Sequence, residues 1–505
     1  MPPSSSSRRH TLTHGISTPN FLAELPPQYT VDTESPQNPV ARRRLSHPPR
    51  YSNATALELQ RQGSSSGQDS TCQHQHEFHI MNTNRSHAWT TLRIFSRNAG
   101  STPQFFGRDF ISGSVELDLE KPQKINSITL YLRGRIITSS LEEGSYTFLD
   151  HAVDIWNKDV GDPRAAHAGG KRFDEKLDGK YRWPFNFAFP SEFTIPSHGG
   201  QISHSFQTPQ TFHERGLNAT LEYELFLHIN HGMFRGSSKL HVGVAYVPNI
   251  TPAPSSPLRR RAYLEGVSLS GPGEDYAGWY SLHPVILQGE MSGRSGVEFR
   301  CILSLANPLT YTRGTVLPCF MNIEANDQKV LDTFANAKII RVCLKRRISY
   351  TRNASLVLAR FKANSRGKGS SLRQDEMTEI VEDVGQAVWW VPSNAAFYGP
   401  NVRCLEGEIH LPKNLYPSCM VPFLIVEYYV ALSIDISDIF RFTSVGSHDS
   451  PIISQPVTIA SFHGEGPLPV AFTAPPGKRA SGLSSHRRAQ SNTDVFPATL
   501  GPIRG

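Results

Sequence analysis

Residues 110–135, FISGSVELDLEKPQKINSITLYLRGR, carry the pattern from which the fold class follows. Ile111, Gly113, Val115, Leu117 and Leu119 alternate with Ser112, Ser114, Glu116, Asp118 and Glu120, the two-residue period of a strand with one buried and one solvated face. After Lys121-Pro122-Gln123-Lys124 the alternation resumes. Ile128, Leu130, Leu132, Gly134 and Ile136 then point one way, and Thr129, Tyr131, Arg133 and Arg135 the other. A proline in a short polar stretch between two such runs predicts an antiparallel hairpin over a helical crossover. The chain is therefore read as all-β, with sheets packed on one face.

Outward from this stretch the pattern repeats. Trp89 to Phe95 precedes it, and polar, Gly-rich connections fill residues 142–180. Tyr181, Trp183, Phe185, Phe187 and Phe189 alternate up to Pro190. Leu221, Tyr223, Leu225, Leu227 and Ile229 mark another one-sided strand, and Leu240 to Val247 a further one. Short strands separated by turn signals describe a β-sandwich over residues 77–247. Residues 248–285 are Pro-rich and read as an inter-domain linker with some ordered edge strand. A second set spans 286–462, with stripes at Val297–Leu305, Cys319–Ile323, Ile340–Leu344, Leu405–Leu411 and Leu424–Ile434, and a last strand at 455–462. The halves echo each other: FFGRDFISGSVELDL (105–119) lines up with TYTRGTVLPCFMNI (310–323). FNFAFPSEFTIP then YELFLHI likewise matches GEIHLPKNLYP then VEYYVALSI. A duplicated sandwich accounts for the length, the linker and the number of strands together.

Composition bounds the rest. Of 505 residues only 38% are hydrophobic, and the deficit sits in residues 1–76 and 463–505, which are rich in Ser, Pro, Gln, Arg and Gly. Such segments bury too little apolar area to offset chain entropy and read as disordered arms. The net charge is +7, of which the arms carry +5, leaving +2 on the folded part. A nearly balanced core argues against a nucleic-acid binder, which needs a basic surface on its folded module. Six cysteines with no CxxC pair form neither a disulfide framework nor a zinc ribbon, and several occupy apolar strand positions as buried thiols. The opening MPPSSSSRRH lacks the apolar region of a secretory signal, and no stretch reaches about 18 uninterrupted apolar residues. The expected compartment is the cytoplasm.

The order of segments over residues 78–462 resembles the arrestin fold. An aromatic and a glycine precede the entry strand, SITLYLRGR and RWPFNFAFP follow, then YELFLHI, and a second copy ends in VEYYVALSI. The resemblance implies two tandem arrestin-like, immunoglobulin-like β-sandwiches, an adaptor role and no catalysis; no cofactor or metal is expected.

Two elements of the first arm point to a branch of that family. Pro26-Pro27-Gln28-Tyr29 and Pro48-Pro49-Arg50-Tyr51 are both PPxY sequences. Paired prolines bias the chain toward polyproline II, so less entropy is lost on docking, and Tyr three residues after the first Pro falls on the same side of a three-residue helix. WW domains offer the matching aromatic groove. Two copies in one arm raise the effective concentration for a ligase with several WW modules. The motifs resemble those by which α-arrestins, here of fungal type, recruit HECT-type ubiquitin ligases to membrane transporters or receptors. The chain departs from the commonest arrangement because its motifs precede the sandwiches. The implied site is Pro26, Pro27, Tyr29, Pro48, Pro49 and Tyr51, with peripheral association at the plasma membrane or endosomes.

Arg43-Arg44-Leu45-Ser46-His47-Pro48 overlaps the second motif and fits both a basic-directed kinase site and the arginine, phosphoserine, proline spacing accepted by 14-3-3 proteins, with Arg43, Ser46 and Pro48 as contacts. Ser481 and Ser491 follow basic residues and are weaker phosphorylation candidates. Lys345 to Arg373 holds nine Lys/Arg and no acid, and Asp375 to Asp383 five acids. That pairing reads either as a lipid-headgroup patch or as a self-neutralising surface, the second favoured. Cys72, His74, His76 and His79 offer zinc-ligand chemistry at a spacing unlike a structural zinc site. Rival readings are a retromer-type trafficking scaffold without ligase recruitment and a metalloenzyme built on these histidines.

Overall fold

The computed structural model describes residues 73–475, apart from 83, 140–143, 165–171, 197–202, 233–235, 292–293, 337–338, 354–376, 393–398, 435–439 and 443–450. The first sandwich has one antiparallel sheet in the order β1 (His74–Met81), β2 (Ala88–Ser96), β4 (Phe110–Gln123) and β7 (Leu177–Ala188). Facing it is a sheet in the order β3 (Gln104–Phe106), β12 (Ser238–Val247), β11 (Thr220–Asn230), β5 (Ser127–Ile137) and β6 (Ser145–Asn157). In this sheet β10 (Phe212–His213) also pairs with β11, and β3 runs parallel to β12. A separate ribbon joins β8 (Glu192–Pro196) to β9 (Ser203–Gln207).

The inward stripes read from the sequence are the buried ones: Ile111, Val115, Leu117 and Leu119 on β4, and Ile128, Leu130, Leu132 and Ile136 on β5. The hairpin between them does not form. β4 pairs with β2 and β7, while β5 pairs with β11 and β6, so the two strands belong to opposite sheets. Alternation fixes which face of a strand is buried but not which strand lies beside it. Both stripes face the same core from opposite sides, and fully buried Ile125 pins the crossing between them. The glycines within the stripes leave room for rings. A Cβ on Gly113 would sit 1.9 Å from the Arg93 carbonyl oxygen and 2.7 Å from Phe185 Cζ, and one on Gly134 would sit 2.7 Å from Phe148 Cζ and 2.8 Å from Tyr223 Cε1.

The second sandwich repeats this plan. One sheet runs β20 (Val388–Trp390), β21 (Val402–His410), β17 (Val316–Glu324), β15 (Arg294–Ala306), β14 (Val285–Met291) and β24 (Phe440–Phe442), with β13 (Trp279–Ser281) also on β15. The other runs β16 (Thr310–Thr312), β25 (Ile453–Ala460), β23 (Leu424–Ile434), β18 (Ile340–Thr351) and β19 (Met377–Gln386), with β22 (Cys419–Val421) on β23. β16 is parallel to β25 as β3 is to β12. The order β3-β12-β11-β5-β6 thus maps strand for strand onto β16-β25-β23-β18-β19. The internal likeness seen in the sequence is a likeness of topology, and the chain is a tandem pair of β-sandwiches.

Residues 248–285 carry more structure than a spacer needs. Helix α1 (Pro257–Glu265) starts at Ser256, whose hydroxyl accepts from the Arg259 N–H at 3.2 Å, with Pro at its first position. It ends at Gly266 in the left-handed conformation, φ 64°. Arg259 is buried with its guanidinium 4.7 Å from the Trp279 ring centroid and bonded to the Asn307 carbonyl at 3.0 Å. The described residues also continue past 462, where the sequence reading ends the folded part, through to 475. A second short helix, α2 (Gln328–Phe334), buries Phe334 against Phe299 at 4.0 Å. Most of the buried apolar side chains of both sandwiches belong to one continuous cluster, and Trp279, Phe320 and Cys404 form a smaller one.

Candidate functional site

The sandwiches meet along a seam built from equivalent pieces of the two copies. Tyr416, in the connection leading into β22, packs at a tilt on Phe212 of β10 with centroids 4.6 Å apart. Its hydroxyl donates to the His213 carbonyl at 2.7 Å and accepts from the His213 N–H at 3.3 Å. Phe423 packs on Phe148 at 5.2 Å. Arg313 donates to Gln210 Oε1 at 3.1 Å and to the Leu415 carbonyl at 3.0 Å. Below these, Arg346 of β18 bonds Glu214 of the first sandwich and Glu382 of β19, the latter at 2.5 Å.

Arg346 is the unusual member. It sits on the inward parity of β18, in line with Ile340, Val342, Leu344, Ile348 and Tyr350, and its side chain is 7% exposed. Burial opposes its charge, and bonds to Glu214 and proximity of Tyr428 and Glu382 more than offset that, holding the guanidinium above its ordinary pKa. A buried cation so paired makes the seam specific in register, since only one relative placement brings Glu214 to it.

Beside the seam lies a cleft of about 650 Å³, walled by Thr208, Pro209 and Pro248 from the first sandwich and by Cys419, Tyr429 and Pro456 from the second. Its charged rim is Arg347, bonded through Nε and Nη2 to Glu427 Oε2 at 3.0 and 2.6 Å, which raises the Arg347 pKa. The lining mixes proline and tyrosine edges with Gln, Ser and Thr side chains and a satisfied ion pair, a surface suited to binding with no activated thiol on it. The thiols here and in the core are likewise unactivated: burial pushes Cys301, Cys404 and Cys419 up to about 12.

The topology, the seam and the cleft together raise the question of kinship. Residues 98–215 match the family model Arrestin (or S-antigen), N-terminal domain. The matched span runs from before β3 through β10 to Glu214 at the seam. No curated protein matches the chain. The first sandwich is therefore arrestin-like, and the match supports an arrestin-like role in trafficking or as an adaptor. No helix among the described residues is long and apolar enough to cross a membrane.

The residues singled out in the sequence fall unevenly on this arrangement. Both PPxY motifs, Arg43, Ser46, Cys72, Ser481 and Ser491 lie outside the described residues. His74, His76 and His79 lie on β1 and do not converge. His76 turns inward and bonds Ser96 Oγ at 2.9 Å and the Asn98 carbonyl at 3.1 Å, while His79 bonds Thr91 at 3.0 Å. Among the described residues no three metal-ligating side chains gather. Lys345 to Thr351 of the basic run lie in β18 and Met377 to Asp383 of the acidic run in β19, laid antiparallel so that Lys345 faces Asp383, with a 2.7 Å bond, and Arg346 faces Glu382. Within these strands the charges neutralise each other across the ladder. Sequence reasoning passed over Glu214, Arg346 and Tyr416. An arginine on the apolar parity of a strand is the signal that marks one of them.

Proposed function

We propose that this chain is an α-arrestin-like adaptor that recruits a WW-domain HECT-type ubiquitin ligase to membrane transporters or receptors, promoting their ubiquitylation and endocytosis. The observation that carries this reading is the pair of PPxY sequences, Pro26–Tyr29 and Pro48–Tyr51, in an arm preceding an arrestin-like sandwich. Two short polyproline ligands on one arm engage two WW modules of a single ligase, and the second docking event benefits from the effective concentration set by the first. The tandem sandwiches serve as the cargo-facing body, held in one register by the Arg346 seam, and the role is scaffolding without catalysis. A phosphate on Ser46 adds about −2 charge two residues before the second motif, recruiting 14-3-3 proteins and masking that motif. The adaptor works in the cytoplasm and at the plasma membrane or endosomes.

Affinity capture with the intact chain as bait, against a Tyr29→Ala, Tyr51→Ala variant, tests the reading. Loss of a HECT-type ligase from the double variant, with cargo retained, is the expected result. Equal ligase recovery from both baits refutes ligase recruitment through these motifs and leaves a trafficking scaffold.

A further inference from the structure

The outer face of the sheet holding β17 and β21 carries a carboxylate that its own sheet does not satisfy. Glu408 lies on the outward parity of β21 opposite Pro318 of β17, yet it is 1% exposed. Among the described residues every hydrogen bond to it comes from one later stretch of chain. The Phe472 N–H is shared between Oε1 and Oε2 at 3.1 Å each, the Thr473 N–H donates to Oε1 at 2.7 Å, and the Thr473 hydroxyl bonds Oε1 at 2.6 Å. His410 Nε2 lies 3.3 Å from the same oxygen and 2.9 Å from Thr473 Oγ1. The Phe472 ring stands 6.2 Å from that of Trp390, whose Nε1 donates to Glu406 at 2.9 Å.

This is the composition of a ligand site. A buried carboxylate without donors is costly, so the position is tenable only when a strand of backbone supplies them. What supplies them is shallow: Phe472 and Thr473 are half-buried, residues 471, 474 and 475 are exposed, and 463–475 contain no strand and make no ladder with β20. Phe472 and Thr473 themselves are held by the Glu408 carboxylate, the His410 bond and one ring contact.

We propose that Glu408, His410 and Trp390 form a peptide-docking groove whose resident occupant is Phe472-Thr473. In trans the groove takes an extended peptide in which a bulky apolar residue precedes an unmodified Thr or Ser. Two successive N–H groups chelate the carboxylate, the hydroxyl fills the gap between Glu408 and His410, and the apolar side chain lies against Trp390. A phosphorylated hydroxyl is rejected, because a phosphate dianion cannot be seated against a buried carboxylate.

The test uses the full chain. A Phe472→Ala, Thr473→Val variant loosens the resident segment, and a labelled peptide of residues 467–475, PLPVAFTAP, is titrated against variant and wild type by fluorescence anisotropy. The variant is expected to bind the peptide on the order of tenfold or more tightly than wild type does, since the resident competitor has lost a hydroxyl bond to a charged acceptor. The same peptide with Val at position 473 binds about tenfold more weakly, the phosphothreonine peptide shows no saturable binding, and adding Glu408→Gln to the variant abolishes binding. Equal affinity for variant and wild type, indifference to the hydroxyl, or no saturable binding at all overturns the proposal. Hydrogen exchange on wild type gives an independent reading: Phe472 and Thr473 amides opening with the β21 core overturn it, and opening well ahead of that core supports it.

Discussion

Replacing Arg346 by Met asks whether the seam is held by charge. Methionine keeps much of the stem volume and removes the cation, leaving Glu214, whose Oε2 already lacks a partner, facing the seam alone. Breaking a fully buried ion pair from one side costs about 3–5 kcal/mol. Here the carboxylates are 26% and 46% exposed, so water takes part of the load and about 2 kcal/mol is the expected loss. At about 2–4 °C per kcal/mol for a unit of sandwich size, the midpoint of thermal unfolding falls by roughly 4–8 °C. A double-mutant cycle with Glu214→Gln isolates the pair, and a coupling energy of about 1–2 kcal/mol is expected. Because the guanidinium is buried, the coupling should persist in high salt, unlike that of a surface pair. Single effects that add to within about 0.5 kcal/mol would refute the reasoning and leave the apolar contact of Phe148 with Phe423 as the hold.

Two further outcomes follow from packing and burial. Gly113→Ala should destabilise by more than the usual overpacking cost of about 1–3 kcal/mol, because its Cβ meets a backbone carbonyl at 1.9 Å, which cannot swing aside; a melting temperature unchanged from wild type would contradict this. Burial pushes the phenols of Tyr246 and Tyr263 up to about 12, so the fold favours their neutral forms. With unfolded values near 10, their contribution is intact below pH 10 and is lost as pH rises from 10 toward 12. Phenolate absorbance and circular dichroism followed together should show these tyrosines titrating only as the sheets melt, and titration near pH 10 with intact dichroism would exclude the buried assignment.

Strand parity was legible because apolar side chains at two-residue spacing are what a packed sheet face requires, and the stripes at 111–119, 128–136, 221–229 and 424–432 are buried as read. Pairing was not, since two stripes facing one core look alike whether they share a sheet or oppose each other, and so the hairpin at 121–126 became a crossing. Helix α1 was signalled by Ser256-Pro257 and Gly266, a start and a stop flanking a run without Gly or Pro, but the surrounding prolines pulled the reading toward a linker. The segment 463–475 gave no such signal. Its attachment centres on a carboxylate meeting two backbone N–H groups, and backbone donors are the same in every sequence. The PPxY pair was legible as chemistry because its recognition needs only a short extended ligand.

The two copies also explain how the seam comes to be specific. Strand pairing makes Tyr223 equivalent to Tyr428: each sits two residues beyond the partner of a short edge strand, Leu221 facing Phe212 and Val426 facing Cys419. By the same count Pro209 is equivalent to Tyr416, and these are the carbonyls the two tyrosines bind, each at 2.6 Å. A hydroxyl from each core therefore fixes the segment that its sandwich presents to the other, and those segments are the ones in contact, Phe212 and His213 against Tyr416. The strand beside each tyrosine completes the joint. Opposite Tyr223 stands Gly134, whose missing side chain admits Phe148, and Phe148 reaches Phe423; opposite Tyr428 stands Arg346, which reaches Glu214. The equivalent positions thus serve an apolar contact in one sandwich and a charged one in the other. The cleft lined by Pro209 and Cys419 opens onto both anchored segments, so whatever enters it meets a surface whose shape is set from within both cores.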